Sequence, residues 1–170
     1  MTFQSDQLIH GKAIQLSTNK QFCITFVYGR NLEVQRIPLW NDLISLASNM
    51  DGLWCVLGDF NAVLNPTERI GGNEVTESEM AAFGDCMVQC GLQEFCYKGA
   101  FFTWTNKVIW SRIDRAMHNT LWYNTFAYTH VFYQPQGLSD HSPIALDFPT
   151  SLSQNHPFNF VTCGQRIPNS

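Results

Sequence analysis

The chain has 170 residues, of which 45% are hydrophobic, 14% aromatic and 14% charged. That length suits one domain with a real core, and the composition excludes a disordered or collagen-like chain. Ten Lys and Arg against fourteen Asp and Glu leave a net charge of −4 and a pI near 5.6. This argues against a broad basic surface for non-specific nucleic-acid binding, while a cleft acting on phosphate stays open where a metal supplies the positive charge. No segment is long and apolar enough to span a bilayer, and the opening residues lack the charged start and apolar run of a secretion signal. The cysteines Cys23, Cys55, Cys86, Cys90, Cys96 and Cys163 form no Cys-x-x-Cys pair. A zinc knuckle is therefore not expected, and a reducing intracellular compartment is, the nucleus included.

In chain order, Gln21 to Tyr28 alternates like a strand, with Phe22, Ile24, Phe26 and Tyr28 on one face. Asn31 stands where a helix cap would stand, before Leu39, Leu43, Leu46 and Ala47 at helical spacing, and Pro38 leaves the start of that helix open. Asp51-Gly52 ends it. Leu53 to Leu57 reads as a buried strand running into Gly58-Asp59, and Pro66 to Val75 as a loop carrying Gly71-Gly72. Thr76 and Glu79 have capping-box spacing ahead of the helical face Met80, Phe83, Met87 and Cys90, which Gly91 terminates. Cys86 and Cys90, four apart, face one another on that helix. Phe95 to Trp104 predicts a hairpin turning at Lys98-Gly99. Trp110 to Met117 and Ala127 to Tyr133 predict strands bridged by a short helix at Thr120 to Phe126, and Ser142 to Phe148 a last strand. A loose tail follows from residue 149. Strands interleaved with about two long helices make the chain α/β or α+β.

Polar residues gather at the predicted strand ends, where α/β sheets place their sites. In Leu57-Gly58-Asp59-Phe60-Asn61 a carboxylate and a carboxamide two residues apart face one side of an extended segment. The same string is also ordinary turn chemistry. Ser139-Asp140-His141 cannot form a Ser-His-Asp relay, because adjacent side chains diverge. A carboxylate beside a histidine suits metal or phosphate binding, and a polar loop before a strand is the plainer alternative. Asp114 lies between Arg112 and Arg115; it is either in a structural ion pair or holds a histidine in orientation. Tyr28, ending a strand, reads more plainly as a core or rim aromatic, and a core role is open to Trp104. His118, His130 and His156 show no ligand spacing.

Together the motifs are more specific. Tyr28-x-x-Asn31, Gly58-Asp59-x-Asn61, Thr103-Trp104, Ser111-Arg112-Ile113-Asp114 and Ser139-Asp140-His141-Ser142-Pro143 occur in that order. The set resembles the endonuclease/exonuclease/phosphatase family, the DNase I-like fold that includes apurinic/apyrimidinic endonucleases. FVYGRN, LGDFNAVL, ERIGG, FTWTN, SRIDR and LSDHSPI are most similar to the endonuclease domain of plant LINE-type (non-LTR) retrotransposons. The resemblance implies a four-layer DNase I-like α/β sandwich over residues 1–148 and a Mg²⁺-dependent phosphodiesterase, with Mn²⁺ as the alternative ion. DNA is the implied substrate, and a reverse transcriptase of the parent element an implied partner.

It also implies roles. Asp59 would orient or deprotonate the attacking water, Asn61 and Asn31 would hold the scissile phosphate, and Tyr28 would contact that phosphate or the leaving oxygen. His141, oriented by Asp114, would bond a phosphate oxygen; Asp140 would help to bind Mg²⁺; Thr103 and Trp104 would touch DNA. The family begins with an Asn-bearing strand and a second strand ending in a metal-binding Glu. Residues 1–27 supply neither, and Glu68 and Glu74, in the loop after Asp59, are poor substitutes. The expectation is therefore a sandwich truncated at its N-terminus, with weak or absent hydrolysis. The rivals are a non-catalytic remnant that binds DNA or protein, and a phosphatase of the same fold.

Overall fold

The computed structural model describes residues 2–147. The expected tail, Phe148, His156 and Cys163 lie outside them. Two core clusters divide these residues into layers, with a six-stranded sheet between them. The sheet is built from β1 (Phe3–Gln4), β2 (Leu8–Gln15), β3 (Lys20–Tyr28), β4 (Trp54–Asp59), β10 (Asp114–Asn119) and β6 (Leu92–Glu94), in that spatial order. Only β3 and β4 pair in parallel, joined by α1 (Glu33–Ser48) as a crossover; the other pairs are antiparallel.

On one face α1 and α2 (Glu77–Cys90) bury Leu39, Trp40, Leu43, Phe83, Cys86 and Met87 against Val27, Val56 and Met117. On the other, a sheet of β12 (Ile144–Asp147), β11 (His130–Tyr133) and β7 (Tyr97–Gly99), together with α3 (Thr120–Thr125), packs on Phe22, Cys55 and Ala116. Burial on both faces explains why β3 does not read as one apolar face. Thr25 and Val27 are buried under the helices, whereas Phe26 and Tyr28, on the expected face, are exposed.

Several expectations change. The N-cap of α1 is Leu32, without a side-chain cap, and Asn31 instead gives its carbonyl to Arg36 at 2.8 Å. Pro38 sits inside α1, where packing of Leu39, Trp40 and Leu43 outweighs one lost backbone bond. Thr76 caps α2 by accepting from the Glu79 N–H, but the Glu79 carboxylate turns to Arg69, so the reciprocal half of the box is unmade. Gly91 ends α2 in the left-handed region, and the Cys86 and Cys90 sulfurs lie 3.9 Å apart.

The Phe95–Trp104 hairpin does not form. β7 pairs in parallel with β11, while β8 (Trp104–Thr105) pairs with β9 (Trp110–Ser111), and β9 also pairs with β5 (Arg69–Ile70). The apolar run Trp110–Met117 is thus cut at Arg112-Ile113, where the chain leaves the small sheet for the large one. The later strands begin two or three residues inside their expected starts, at His130 and Ile144.

Candidate active site

Strand register builds the site. Tyr28 pairs with Asp59, and Asp59 with Asp114, so the ends of β3, β4 and the start of β10 set three side chains in one row. They lie on the face turned toward the three-stranded sheet, two residues beyond Phe26, Leu57 and Ala116. Two glycines permit the approach. A Cβ on Gly58, whose φ is 138°, would stand 2.1 Å from the Val27 carbonyl oxygen, and one on Gly29 would stand 2.6 Å from that of Phe60.

Asn61 adopts φ 49°, a left-handed conformation that Asn tolerates. Its backbone N–H donates to Asp59 Oδ1 at 2.8 Å, and its Nδ2 donates to Asp59 Oδ2 at 3.0 Å and to the Gly29 carbonyl at 2.8 Å. Both amide hydrogens are spent on those two acceptors, so Asn61 grips the carboxylate of Asp59. Burial pushes the Asp59 carboxyl up to about 6; the nearby Asp114 adds to this, and the Asn61 bond, His141 and Arg36 oppose it.

Asp114 is buried, and both of its oxygens lie 3.0–3.1 Å from His141 Nδ1. Burial raises its pKa, partly offset by bonds from His141 and Thr103. The flanking arginines do not pair with it. Arg112 bonds Glu94, and Arg115 bonds Glu68 and, at 3.0 Å, Glu94. The Arg112 guanidinium also lies 3.9 Å from the centre of the Tyr97 ring. Turned away in this manner, they leave Asp114 to the histidine. Glu68 is buried in that network and also accepts from the Leu64 N–H, so its carboxylate is spent on Arg115 and the backbone. Glu74 is exposed in the loop beyond it.

Thr103 is fully buried, which corrects its expected contact with DNA. Its hydroxyl accepts from the N–H groups of Ile113 and Asp114, and its carbonyl accepts from Ser142 N–H at 2.7 Å. One residue thereby ties together the two segments that carry Asp114 and His141. Trp104 is half-buried and bridges His141 in antiparallel fashion, with ring centres 6.5 Å apart. Its indole N–H donates to Asp140 Oδ2 at 3.0 Å and, as the largest influence, holds that carboxyl below its ordinary value. Tyr28 and Asn31 are exposed at the rim.

Among the described residues no group of three or more His, Cys, Asp or Glu side chains is placed to hold a metal ion. Mg²⁺ takes one or two carboxylates plus waters and substrate oxygens. Asp140, exposed and shared with an indole, does not make that site alone.

The structure therefore gathers Asp59, Asn61, Asp114 and His141, sets Tyr28 in the same row, and withdraws Thr103 into the interior. It adds residues that the sequence reading missed. Gln7 accepts from Arg30 N–H and donates to the Gln35 carbonyl; Arg36 donates to the carbonyls of Arg30 and Asn31; Glu94 binds both arginines. A signal for Arg36 was there: it stands three, four and seven residues before Leu39, Trp40 and Leu43, on the core face of a helix.

A model of the endonuclease/exonuclease/phosphatase family matches residues 3–141. The chain belongs to this family. No curated protein matches it. Among solved structures it is similar to a 3′-5′ exonuclease (NExo) from Neisseria meningitidis, at 17% identity and a TM-score of 0.62, over 84% of this chain and 64% of that one. The endonuclease domain of TRAS1, a telomere-specific non-LTR retrotransposon, matches at 13% and 0.63, over 87% and 66%. The AP endonuclease LMAP from Leishmania major matches at 12% and 0.63, over 84% and 54%. At these identities the likeness is one of fold, and the DNase I-like α/β class expected from the motifs is the class observed. The chain spans just under two thirds of the length of the first of these relatives. No helix among the described residues is long and apolar enough to cross a membrane.

Proposed function

We propose that the chain hydrolyses phosphodiester bonds in DNA, and that it derives from the endonuclease domain of a plant LINE-type retrotransposon, with residues 1–148 as the domain and 149–170 as a tail. The observation that carries this reading is the convergence of Asp59, Asp114 and His141 from three separated motifs. A carboxyl near pKa 6 is ionised at neutral pH, yet basic enough to take a proton from water as it attacks phosphorus. Asp114 accepts from His141 Nδ1–H and so turns Nε2 outward, toward the place of a phosphate oxygen. Tyr28 and Asn31, exposed at the rim, meet the substrate, and Trp104 stands beside His141 for a base or sugar.

Mg²⁺, or Mn²⁺ in its place, belongs to this proposal, with Asp140 as this chain's contribution and weak activity following from the lack of a metal-binding Glu in residues 1–27. A reverse transcriptase encoded by the parent element is the proposed protein partner. The test is nicking of supercoiled plasmid, with Mg²⁺, Mn²⁺ and no added metal in parallel. Slow nicking that Asp59→Asn and His141→Ala each abolish is the expected result. A wild-type chain that never nicks, or nicking that survives both substitutions, sinks the proposal and leaves the non-catalytic remnant. Release of phosphate from a nucleotide monoester without nicking selects the phosphatase.

A further inference from the structure

Arg36 is 2% exposed, on the face of α1 turned into the core. One terminal nitrogen donates to the carbonyls of Arg30 and Asn31, at 3.1 and 2.8 Å, while Nε has no hydrogen-bond partner. It takes part in none of the ion pairs among the described residues, unlike Arg69, Arg112 and Arg115, each of which meets a carboxylate. Gripping two carbonyls needs only a neutral donor such as an amide. Glu79, Glu33 and Asp59 favour its charge, but none of them pairs with it; a buried guanidinium with no carboxylate against it is a costly way to do that task, so its charge calls for a function of its own.

The segment it grips is the turn that follows Tyr28. That turn is clamped from three sides: by Arg36 from α1, by Gln7 through Arg30 N–H at 2.9 Å, and by Asn61 through the Gly29 carbonyl. Asn31 stands exposed on it, beside the row of Tyr28, Asp59 and Asp114. We propose that Arg36 is a positioning residue of this site, shaping the Gly29–Asn31 turn and holding a buried positive charge behind it that serves the phosphate anion in front. The role rests on the phosphodiesterase reading above but has a readout that needs no turnover.

The charged groups facing Asp59 are Asp114 from β10, His141 from the segment before β12 and Arg36 from α1, with Asn61 bonding it from its own turn. Asp114 opposes ionisation of Asp59; His141, Arg36 and the Asn61 bond favour it. Removing the Arg36 charge therefore makes Asp59 harder to ionise, and a lysine in its place retains the effect. Lysine is shorter and lacks the planar fork, so its hold on the two carbonyls is poorer.

The experiment uses the full chain with ¹³C-labelled aspartate carboxyls, titrated by NMR as wild type, Arg36→Met and Arg36→Lys. Inorganic phosphate is then titrated into each at neutral pH. Arg36→Met is expected to move the Asp59 midpoint upward and to weaken phosphate binding about tenfold, equivalent to about 1.4 kcal/mol. Arg36→Lys is expected to leave the midpoint where it was and to weaken phosphate about threefold, less than half that free energy. Should Arg36→Met fail to fold, Arg36→Lys decides alone, since a midpoint that moves despite the retained charge overturns the proposal. An unmoved midpoint with full phosphate affinity in Arg36→Met overturns it too, as does a wild type that binds no phosphate. Plasmid nicking is scored separately: if these shifts occur in a chain that never nicks DNA, the phosphodiesterase reading falls and the placement of Arg36 stands.

Discussion

Asp59 is held in a state that burial disfavours, and replacing it should make the protein more stable as it ceases to work. Its carboxyl is pushed up from 3.8 to about 6, burial being the largest cause. The folded state thus binds a proton that the unfolded chain releases near 3.8. Stability is untouched by this group below that value and is lost as pH rises toward 6, after which the loss is constant. Two units at 1.36 kcal/mol each make roughly 3 kcal/mol at neutral pH. Asp59→Asn removes that penalty but sets an amide against the Asn61 amide, which returns about 1 kcal/mol as a poorer hydrogen bond. A net gain of about 2 kcal/mol is expected at pH 7, about 4–8 °C in Tm for a chain of this size. The assay is thermal or urea unfolding of wild type and Asp59→Asn from pH 4 to pH 8. The gap between them should open between about pH 4 and pH 6 and stay level above. A gap independent of pH, or a variant less stable than wild type at pH 7, would refute the argument that burial destabilises the ionised carboxylate.

Two further outcomes follow from neighbouring contacts. Thr103→Val keeps the shape of the side chain but orphans the N–H groups of Ile113 and Asp114; a loss of about 1–3 kcal/mol is expected in urea unfolding, with nicking also reduced, and Thr103→Ser should restore both. Ile9 and Phe26 pair on β2 and β3 and are both more than half exposed. An exposed apolar patch on a sheet invites association, so sedimentation velocity should show concentration-dependent self-association that Phe26→Lys suppresses, and a monomer at every concentration would count against it.

What the sequence made legible was whatever lay within one element or one short motif. Thr76, Phe83 and Gly91 announce the start, face and end of α2 because capping and periodicity are local chemistry. Lys98-Gly99 misled for the opposite reason. A Gly between aromatic runs signals a turn, yet here Gly99, at φ 99°, continues a strand whose partner, Tyr133, lies 34 residues on, so close that a Cβ would meet its carbonyl oxygen at 2.0 Å. No local rule carries that partner. The cut at Arg112-Ile113 was hidden in the same way, since nothing in an apolar run says that its halves belong to different sheets.

The candidate site divides along the same line, which bears on how its residues depend on each other. Asp59, Asp114 and His141 could be named from their motifs because each ends or begins an apolar segment. What keeps them usable had to come from the fold. Asp114 is free to meet His141 because Arg112 and Arg115 are drawn off by Glu94 and Glu68, which lie 21 and 47 positions before Arg115, beyond the reach of any local rule. Asp59 keeps its orientation because Asn61 spends its amide on it, and the turn beneath keeps its shape through Gln7 and Arg36. Each of these supports is a buried polar group in a cooperative network, where losing one partner leaves another unsatisfied. The reacting groups are therefore few and local in sequence, whereas the conditions that let them act are spread over α1, β6 and the 3₁₀ turn Pro66–Glu68.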